Sequence, residues 1–282
     1  MGAIASIFGY LLNFIYNFVN NYGLAIILFT IVIKLVLLPI SIKQQKSLKK
    51  SAKIQTEMQE IQKKYRNNPE KLNQETIDLY KREKMSPFSG CLSSILQLVL
   101  LLAIFYLVQS PLTYMKKVDP ELINTYTQQI QEENGGNKTV YPEIEIIQKK
   151  GQEDPNVYIN MDFLGIDLSK VPTQSLNDPR VYIIPVLYVI SSFISIRITT
   201  AMQTKKKKKD EIIIGENKEE EIDPMAQMNK SMSLMMPIMS ISIAIIAPLG
   251  LALYWLMNNI LMIIERLVLN KIMESKEEKE NV

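Results

Sequence analysis

The chain has 282 residues, with 32 Lys and Arg against 29 Asp and Glu, a net charge of +3, 47% apolar residues and 15 Met. It holds no His and a single cysteine, Cys91, so intrachain disulfides, His/Cys metal sites and any His-dependent catalytic triad are excluded by inventory. Five windows are apolar over the roughly 20 residues that a helix needs to cross about 30 Å of hydrocarbon, which describes an all-α membrane protein with five transmembrane helices.

The first segment, 1–21, has no basic start and no small-residue cleavage site, so it does not resemble a removable signal peptide. Its polar or amphipathic positions Ser6, Tyr10, Asn13, Asn17 and Asn20 recur at steps of four, three, four and three, one stripe of a helix with apolar residues around the rest. This pattern predicts an amphipathic helix lying in the membrane interface, with a shallow sixth span as the alternative.

The first span covers 22–41. The stretch 42–90 after it carries twelve basic and six acidic residues between Lys43 and Lys84, and loops rich in Lys and Arg stay cytoplasmic. Ile54, Met58, Ile61 and Tyr65 form one helical face, and Leu72, Thr76, Leu79 and Tyr80 a second. Asn68 between them fits an N-cap, with Pro69 at the first helical position. The expectation is a cytoplasmic helical hairpin whose basic exterior is either a solvated face or a docking surface.

The second span is 91–109, opened by Cys91, which reads as a small packing residue. The segment 110–180 has seven basic and eleven acidic residues and is expected outside. Its Asn137-Lys138-Thr139 is a glycosylation sequon by pattern only. After a third span at 181–199, the loop 200–230 carries the run Lys205 to Lys209, expected inside. That run is a topology signal and also a ready contact for anionic lipid. The fourth span, 231–247, and the fifth, 248–266, meet at a tight Ala247-Pro248-Leu249-Gly250 turn, and a tail of 267–282 follows. The N-terminus is therefore expected outside and the C-terminus in the cytoplasm.

Lys34 is the anomaly of the first span. A charge at that depth costs about 2.5–3.5 kcal/mol on insertion scales, and such residues face a bundle interior or a water-filled cavity. In the expected orientation its Cα–Cβ bond leans away from the nearer surface, which makes snorkelling awkward. The spans hold no Asp or Glu before Glu265, so no intramembrane carboxylate is available and the ammonium must be hydrated. Thr30 one turn earlier, Gln97, Tyr188, Ser191, Ser192, Ser195, Asn258 and Asn259 could line the same water. Each alone is ordinary, since hydroxyls in membrane helices often bond to their own backbone or to a neighbour. Together they suggest a positively charged recess with no metal ligand set, suited to receiving hydrophilic segments of another chain beside an apolar exit.

The stretches "NFIYNFVNNYGLAIILFTIVIKLVLLPISIKQQKS", "SPFSGCLSSILQL", "FLGIDLSK" and "MNKSMSLMMPIM…APLGLALYWLMNN" resemble the YidC-type membrane protein insertases, in the shorter form typical of Gram-positive bacteria. The resemblance implies a five-helix bundle with a hydrophilic groove, the cytoplasmic hairpin, location in the bacterial plasma membrane, and insertion and folding of membrane proteins with or without the Sec translocon. It implies nascent membrane proteins, the Sec translocon and anionic lipids as partners, leaves the ribosome open, and implies neither cofactor, catalysis nor nucleic-acid binding. It places Lys34 at the groove-floor basic position, commonly arginine, and Tyr254 and Trp255 on the last-span aromatic motif near the groove. Lys in place of Arg keeps the charge but loses the planar fork. The tail, with two Lys against four Glu in "ESKEEKENV", does not support a basic ribosome-binding extension. Two other classes would also use a buried charge. A transporter or channel with a basic intramembrane cavity lacks support from acidic partners, broken helices or an inverted repeat, and a membrane Ser–Lys hydrolase lacks a nucleophile turn.

Overall fold

The computed structural model describes residues 2–83, 89–213, 242 and 244–280; the expected fourth span lies almost wholly outside them. The described chain is helical apart from one two-stranded hairpin. It runs α1 (Gly2–Val19), α2 (Tyr22–Lys64), α3 (Pro69–Arg82), α4 (Ser89–Gln109), a π-helical turn (Leu112–Lys116), α5 (Pro120–Glu133), α6 (Pro142–Lys150), β1 (Asp162–Phe163), β2 (Ile166–Asp167), two short 3-10 turns, α7 (Ile183–Ile213) and α8 (Leu249–Glu280). Four helical stretches are long and apolar enough to cross a membrane: Gly2–Val19, Tyr22–Ser47, Pro179–Ile198 and Leu249–Ile272. α4 adds a shorter apolar run, Leu98–Gln109. The first of these stretches is the segment expected at the interface, and its length and composition equally suit the spanning alternative.

The chain divides into two compact units, Ile33–Ile104 and the combination of Gly2–Val32 with Phe105–Val282. In the first, the expected helical hairpin is present, but its first arm is the direct continuation of the first span. Between residues 40 and 64 the sequence has no Gly or Pro and is rich in Lys, Gln, Glu and Leu, all good helix formers, so nothing stops α2. Asn68 caps α3 as expected, its side chain accepting from the Lys71 N–H at 3.1 Å, with Pro69 opening the helix. Ile54 and Leu79 are buried. Tyr65 donates to Glu75 at 3.3 Å, Thr76 donates to the Met58 sulfur at 3.5 Å, and Arg82 pairs with Glu57. The Tyr65 ring also lies under the ammonium groups of Lys64 and Lys71, 5.4 and 5.6 Å from its centroid.

In the second unit, the segment between α4 and α7 is a folded structure rather than an open loop. Asp119 caps α5 by accepting from Glu121 N–H at 2.9 Å. α5 packs on α6, joined by Asn134 donating to Glu145 at 2.9 Å and by Lys149 and Lys150 pairing with Glu133. Glu143 of α6 is buried beneath the π-helical turn. Its carboxylate accepts from Leu112 N–H at 2.7 Å, Thr113 N–H at 3.0 Å and the Thr113 hydroxyl at 2.6 Å. Burial pushes this carboxyl above the usual range and those hydrogen bonds pull it back.

Residues 160–170 form a strap that ties three helix ends together. Asn160 donates its side-chain amide to Asn20 O at 2.9 Å and its own N–H to the Tyr16 hydroxyl at 2.8 Å. Its carbonyl accepts from Tyr22 N–H at 3.0 Å. Further along, Leu168 O and Lys170 O each accept at 2.9 Å, from Gly250 N–H and Leu249 N–H at the start of α8. Between these points the β1–β2 hairpin pairs Phe163 with Ile166 around a two-residue turn, with φ +53° at Leu164 and +77° at Gly165. Two positive φ values make a type I′ turn, which Asn-Gly adopts readily; a leucine in this region costs about 1–2 kcal/mol. After the hairpin, Asp178 binds the Lys170 ammonium at 2.9 Å.

Glu143→Ala should strip buried N–H groups of their acceptor and cost about 1–3 kcal/mol, seen as faster hydrogen exchange at Leu112 and Thr113; Glu143→Gln, which keeps an acceptor oxygen, should cost less. The hydrogen bond from Lys170, followed by the Arg180 N–H, holds the Asp178 carboxyl below the usual range. A depressed carboxylate contributes stability at neutral pH that is lost as pH falls through its lowered value. Asp178→Asn should therefore flatten the acid side of the Tm-against-pH curve, and a curve superimposable on wild type would contradict this role.

Candidate functional site

Eight of the residues singled out in the sequence lie on α7 and α8, both in the second unit, and the helices pack on one another. Tyr188 and Trp255 are in ring contact, centroids 6.2 Å apart and planes tilted by 36°. One turn further along α7, Ser191 is 7% exposed and donates to Tyr188 O at 2.8 Å. Asn259, also 7% exposed, donates its amide to Ser191 at 2.9 Å and to Ser192 at 3.2 Å. Ser195 is buried on the same face and is itself engaged. Tyr254 is buried. The result is a seam of hydrogen bonds and aromatic contact between two candidate spans.

This seam refines the expected site. Of the adjacent asparagines, Asn259 makes the interhelical bonds, while Asn258 is half-buried; neighbouring residues on a helix point about 100° apart, so only one can face the partner. Apolar spacing cannot choose between them. Thr30, 2% exposed, donates its hydroxyl to Ile26 O at 2.6 Å. That is the back-bonding habit of hydroxyls in membrane helices, so Thr30 spends its donor on its own helix instead of lining water.

Lys34 belongs to the Ile33–Ile104 unit, where it is half-buried on α2. It lies within the candidate span Tyr22–Ser47. It takes part in an interaction within the chain. Gln97 falls on α4, and its side chain is outside the described residues. Among the described residues no group of three or more Cys, Asp or Glu side chains could hold a metal ion.

The interhelical bonds can be weighed directly. Single polar contacts between membrane helices average about 0.6 kcal/mol and reach about 1.7 kcal/mol. Asn259→Leu, which removes two such bonds while keeping side-chain bulk, should lower unfolding stability by about 1–2 kcal/mol; Ser192→Ala should cost less. Thermal unfolding followed by Trp255 fluorescence checks both, and an unchanged Tm for Asn259→Leu would show that the seam contributes nothing.

The model of the family described as 60Kd inner membrane protein matches residues 14–277 of this chain. Among curated relatives, the protein named Membrane protein insertase YidC from Caldanaerobacter subterraneus subsp. tengcongensis is 44% identical over 110 residues, 39% of this chain and 53% of the relative. Proteins of the same name from Geobacter metallireducens and Helicobacter pylori are 26% and 28% identical over 268 and 267 residues, 95% and 94% of this chain. Those alignments cover 37% and 36% of the two relatives. The chain thus spans between about a third and about half the length of these curated relatives.

Proposed function

Because the chain belongs to the 60Kd inner membrane protein family, and so is a multi-pass bacterial membrane protein, we propose that it is a membrane protein insertase. Lys34 carries the reading: a half-buried cation within a helix long and apolar enough to cross a membrane. Such a charge is unfavourable in lipid by about 2.5–3.5 kcal/mol and is retained where water or a guest chain can meet it. A hydrated cationic recess lowers the dehydration cost of a hydrophilic, preferably acidic, client segment held at membrane depth. The client's apolar segment is then free to partition into lipid, driven by burial of about 25 cal/mol for each Å² of apolar surface removed from water.

Lys34 is the cation of this proposal; within the other unit, Tyr188, Ser191, Ser195, Tyr254, Trp255 and Asn258 supply polar and aromatic side chains on α7 and α8, and Thr30 acts as a helix-internal support. Clients are nascent membrane proteins, taken alone or with the Sec translocon. The orientation places the N-terminus outside and the C-terminus in the cytoplasm, following the excess of basic residues in 42–90 and at Lys205 to Lys209. Those lysines would also meet anionic lipid head groups at about 1 kcal/mol per charge. Cation charge, rather than proton transfer, is the working property, so a guanidinium should serve as well as an ammonium.

The test is reconstitution in liposomes with a small single-span client bearing acidic residues near its translocated end. Wild type and Lys34→Arg should insert it, and Lys34→Leu should do so several-fold less well. Equal insertion by all three would remove the charge from the mechanism, and loss with Lys34→Arg would favour a proton-accepting lysine instead.

A further inference from the structure

The β1–β2 hairpin presents a leucine where the backbone would prefer another residue. Leu164 is 87% exposed, and it occupies the first of two positive-φ positions in the turn, where Asn or Gly would be the easier choice. Strain of this kind, kept at an exposed apolar tip, calls for a use outside the fold.

The position of the tip says what it meets. Phe163 packs so closely over the start of α2 that a Cβ at Gly23 would fall 2.4 Å from its ring. Asn21 holds the hairpin from below, donating to Asp162 O at 2.6 Å. On the other side, Gly165 O accepts from an Arg180 N–H at 3.2 Å, three residues before α7 begins. Each of these two helices carries an exposed apolar stripe running away from the hairpin: Leu24, Leu28 and Val32 on α2, and Ile183, Val186 and Ile190 on α7. The spacings of four, and of three and four, are those of one helix face. Both helices are long and apolar enough to cross a membrane, so these exposed stripes suit contact with lipid, and the hairpin sits at the head of both. Arg180 beside the tip is mostly exposed. It uses two N–H donors, on Gly165 O and on Asp178, of the five a guanidinium carries.

We propose that Leu164 is a shallow lipid anchor, inserted among the upper acyl chains of the leaflet at which α2 and α7 begin, with Arg180 serving the phosphate of the same phospholipid layer. Leucine gives the apolar contact and arginine the charge-assisted one, the pairing used by interfacial anchors. The anchor would hold the strap at a fixed depth, and with it the starts of α2 and α8 that the strap's carbonyls engage. Naming this the outer leaflet rests on the proposed orientation; the anchor itself does not depend on insertase activity.

The test uses the full chain with Cys91→Ala, reconstituted in zwitterionic phospholipid vesicles, with an environment-sensitive fluorophore on Asp162→Cys. The fluorophore on Asn137→Cys, in the α5–α6 connection, serves as a comparator. A lipid nitroxide placed high on the acyl chain should quench the Asp162→Cys probe several-fold more than the comparator, and more than a nitroxide near the chain end does. Adding Leu164→Asn should remove most of that difference while leaving Tm in detergent unchanged or higher, because asparagine accepts the turn more easily than leucine. Equal quenching with and without Leu164→Asn would overturn the proposal and leave an aqueous partner for the tip. A lowered Tm for Leu164→Asn would overturn it too, by making Leu164 a packing residue of the fold. Labelling of Asn137→Cys by a membrane-impermeant maleimide in intact cells is the expected result for the outer leaflet; labelling only after lysis would overturn that assignment. Lys34 variants do not enter these readouts, so failure here and failure of the insertase reading are separable.

Discussion

A helix that starts at the edge of a membrane leaves its first N–H groups without partners in the helix, and near hydrocarbon each unmet donor costs several kcal/mol. In this chain the 160–170 strap meets that demand. Tyr22 N–H goes to Asn160 O, Leu249 and Gly250 N–H go to Lys170 O and Leu168 O, and Asn21 accepts from Leu24 N–H at 3.0 Å. The same strap holds the end of α1 through Tyr16 and Asn20. One irregular segment therefore sets the relative positions of three helix termini, largely through backbone carbonyls, which any residue supplies. Its side chains are then available for special tasks, as with Phe163 over Gly23 and Leu164 at the turn.

The rest of the inter-span segment follows from that duty. A strap can fix helix ends only if it is itself held, and the π-helical turn holds its approach: Lys116 donates to Pro155 O at 3.1 Å and to Tyr158 O at 3.0 Å. Glu143 is central here because it bonds back to residues 112 and 113 at the exit of α4. It does so as a buried carboxylate, and burial alone would favour its neutral form; the N–H and hydroxyl donors converging on it supply the compensation. A helix exit and a helix entrance, far apart in sequence, are thereby braced within one unit.

How much of this could be read from the chain depends on the range of the forces involved. Apolar windows mark Tyr22–Ser47, Pro179–Ile198 and Leu249–Ile272 because burial in lipid is a local property of about 20 residues. Asn68-Pro69 gave the start of α3 because capping is settled within three residues. The helices of the 110–182 segment carry Asp119-Pro120 and a Pro142-Glu143 pair, the same start signals in shorter and more polar surroundings, where spacing alone does not distinguish helix from loop. The strap was visible only as a stretch resembling the insertases, since its hydrogen bonds join residues about 140 positions apart. At the candidate site, Tyr188 meets Trp255 in ring contact and accepts from Ser191, neighbours that the sequence names only as polar or aromatic positions on two separate spans. Sequence could not separate Asn258 from Asn259, or a hydroxyl that lines a cavity from one that folds back on its own helix, because both choices depend on side-chain direction.

That last distinction bears on what a guest chain could meet. Thr30, Ser191 and Asn259 have committed donors to Ile26, Tyr188 and the α7 serines. A donor so committed offers little new to a guest, because accepting the guest means breaking a bond already made in a medium where replacement partners are scarce. A formal charge is different: its field acts on any nearby anion or dipole, falls off slowly in a low-dielectric surrounding, and is not exhausted by one contact. Under the proposed function, the polar residues of α7 and α8 hold those two helices to one another, and the attraction that draws a hydrophilic segment to membrane depth comes from Lys34.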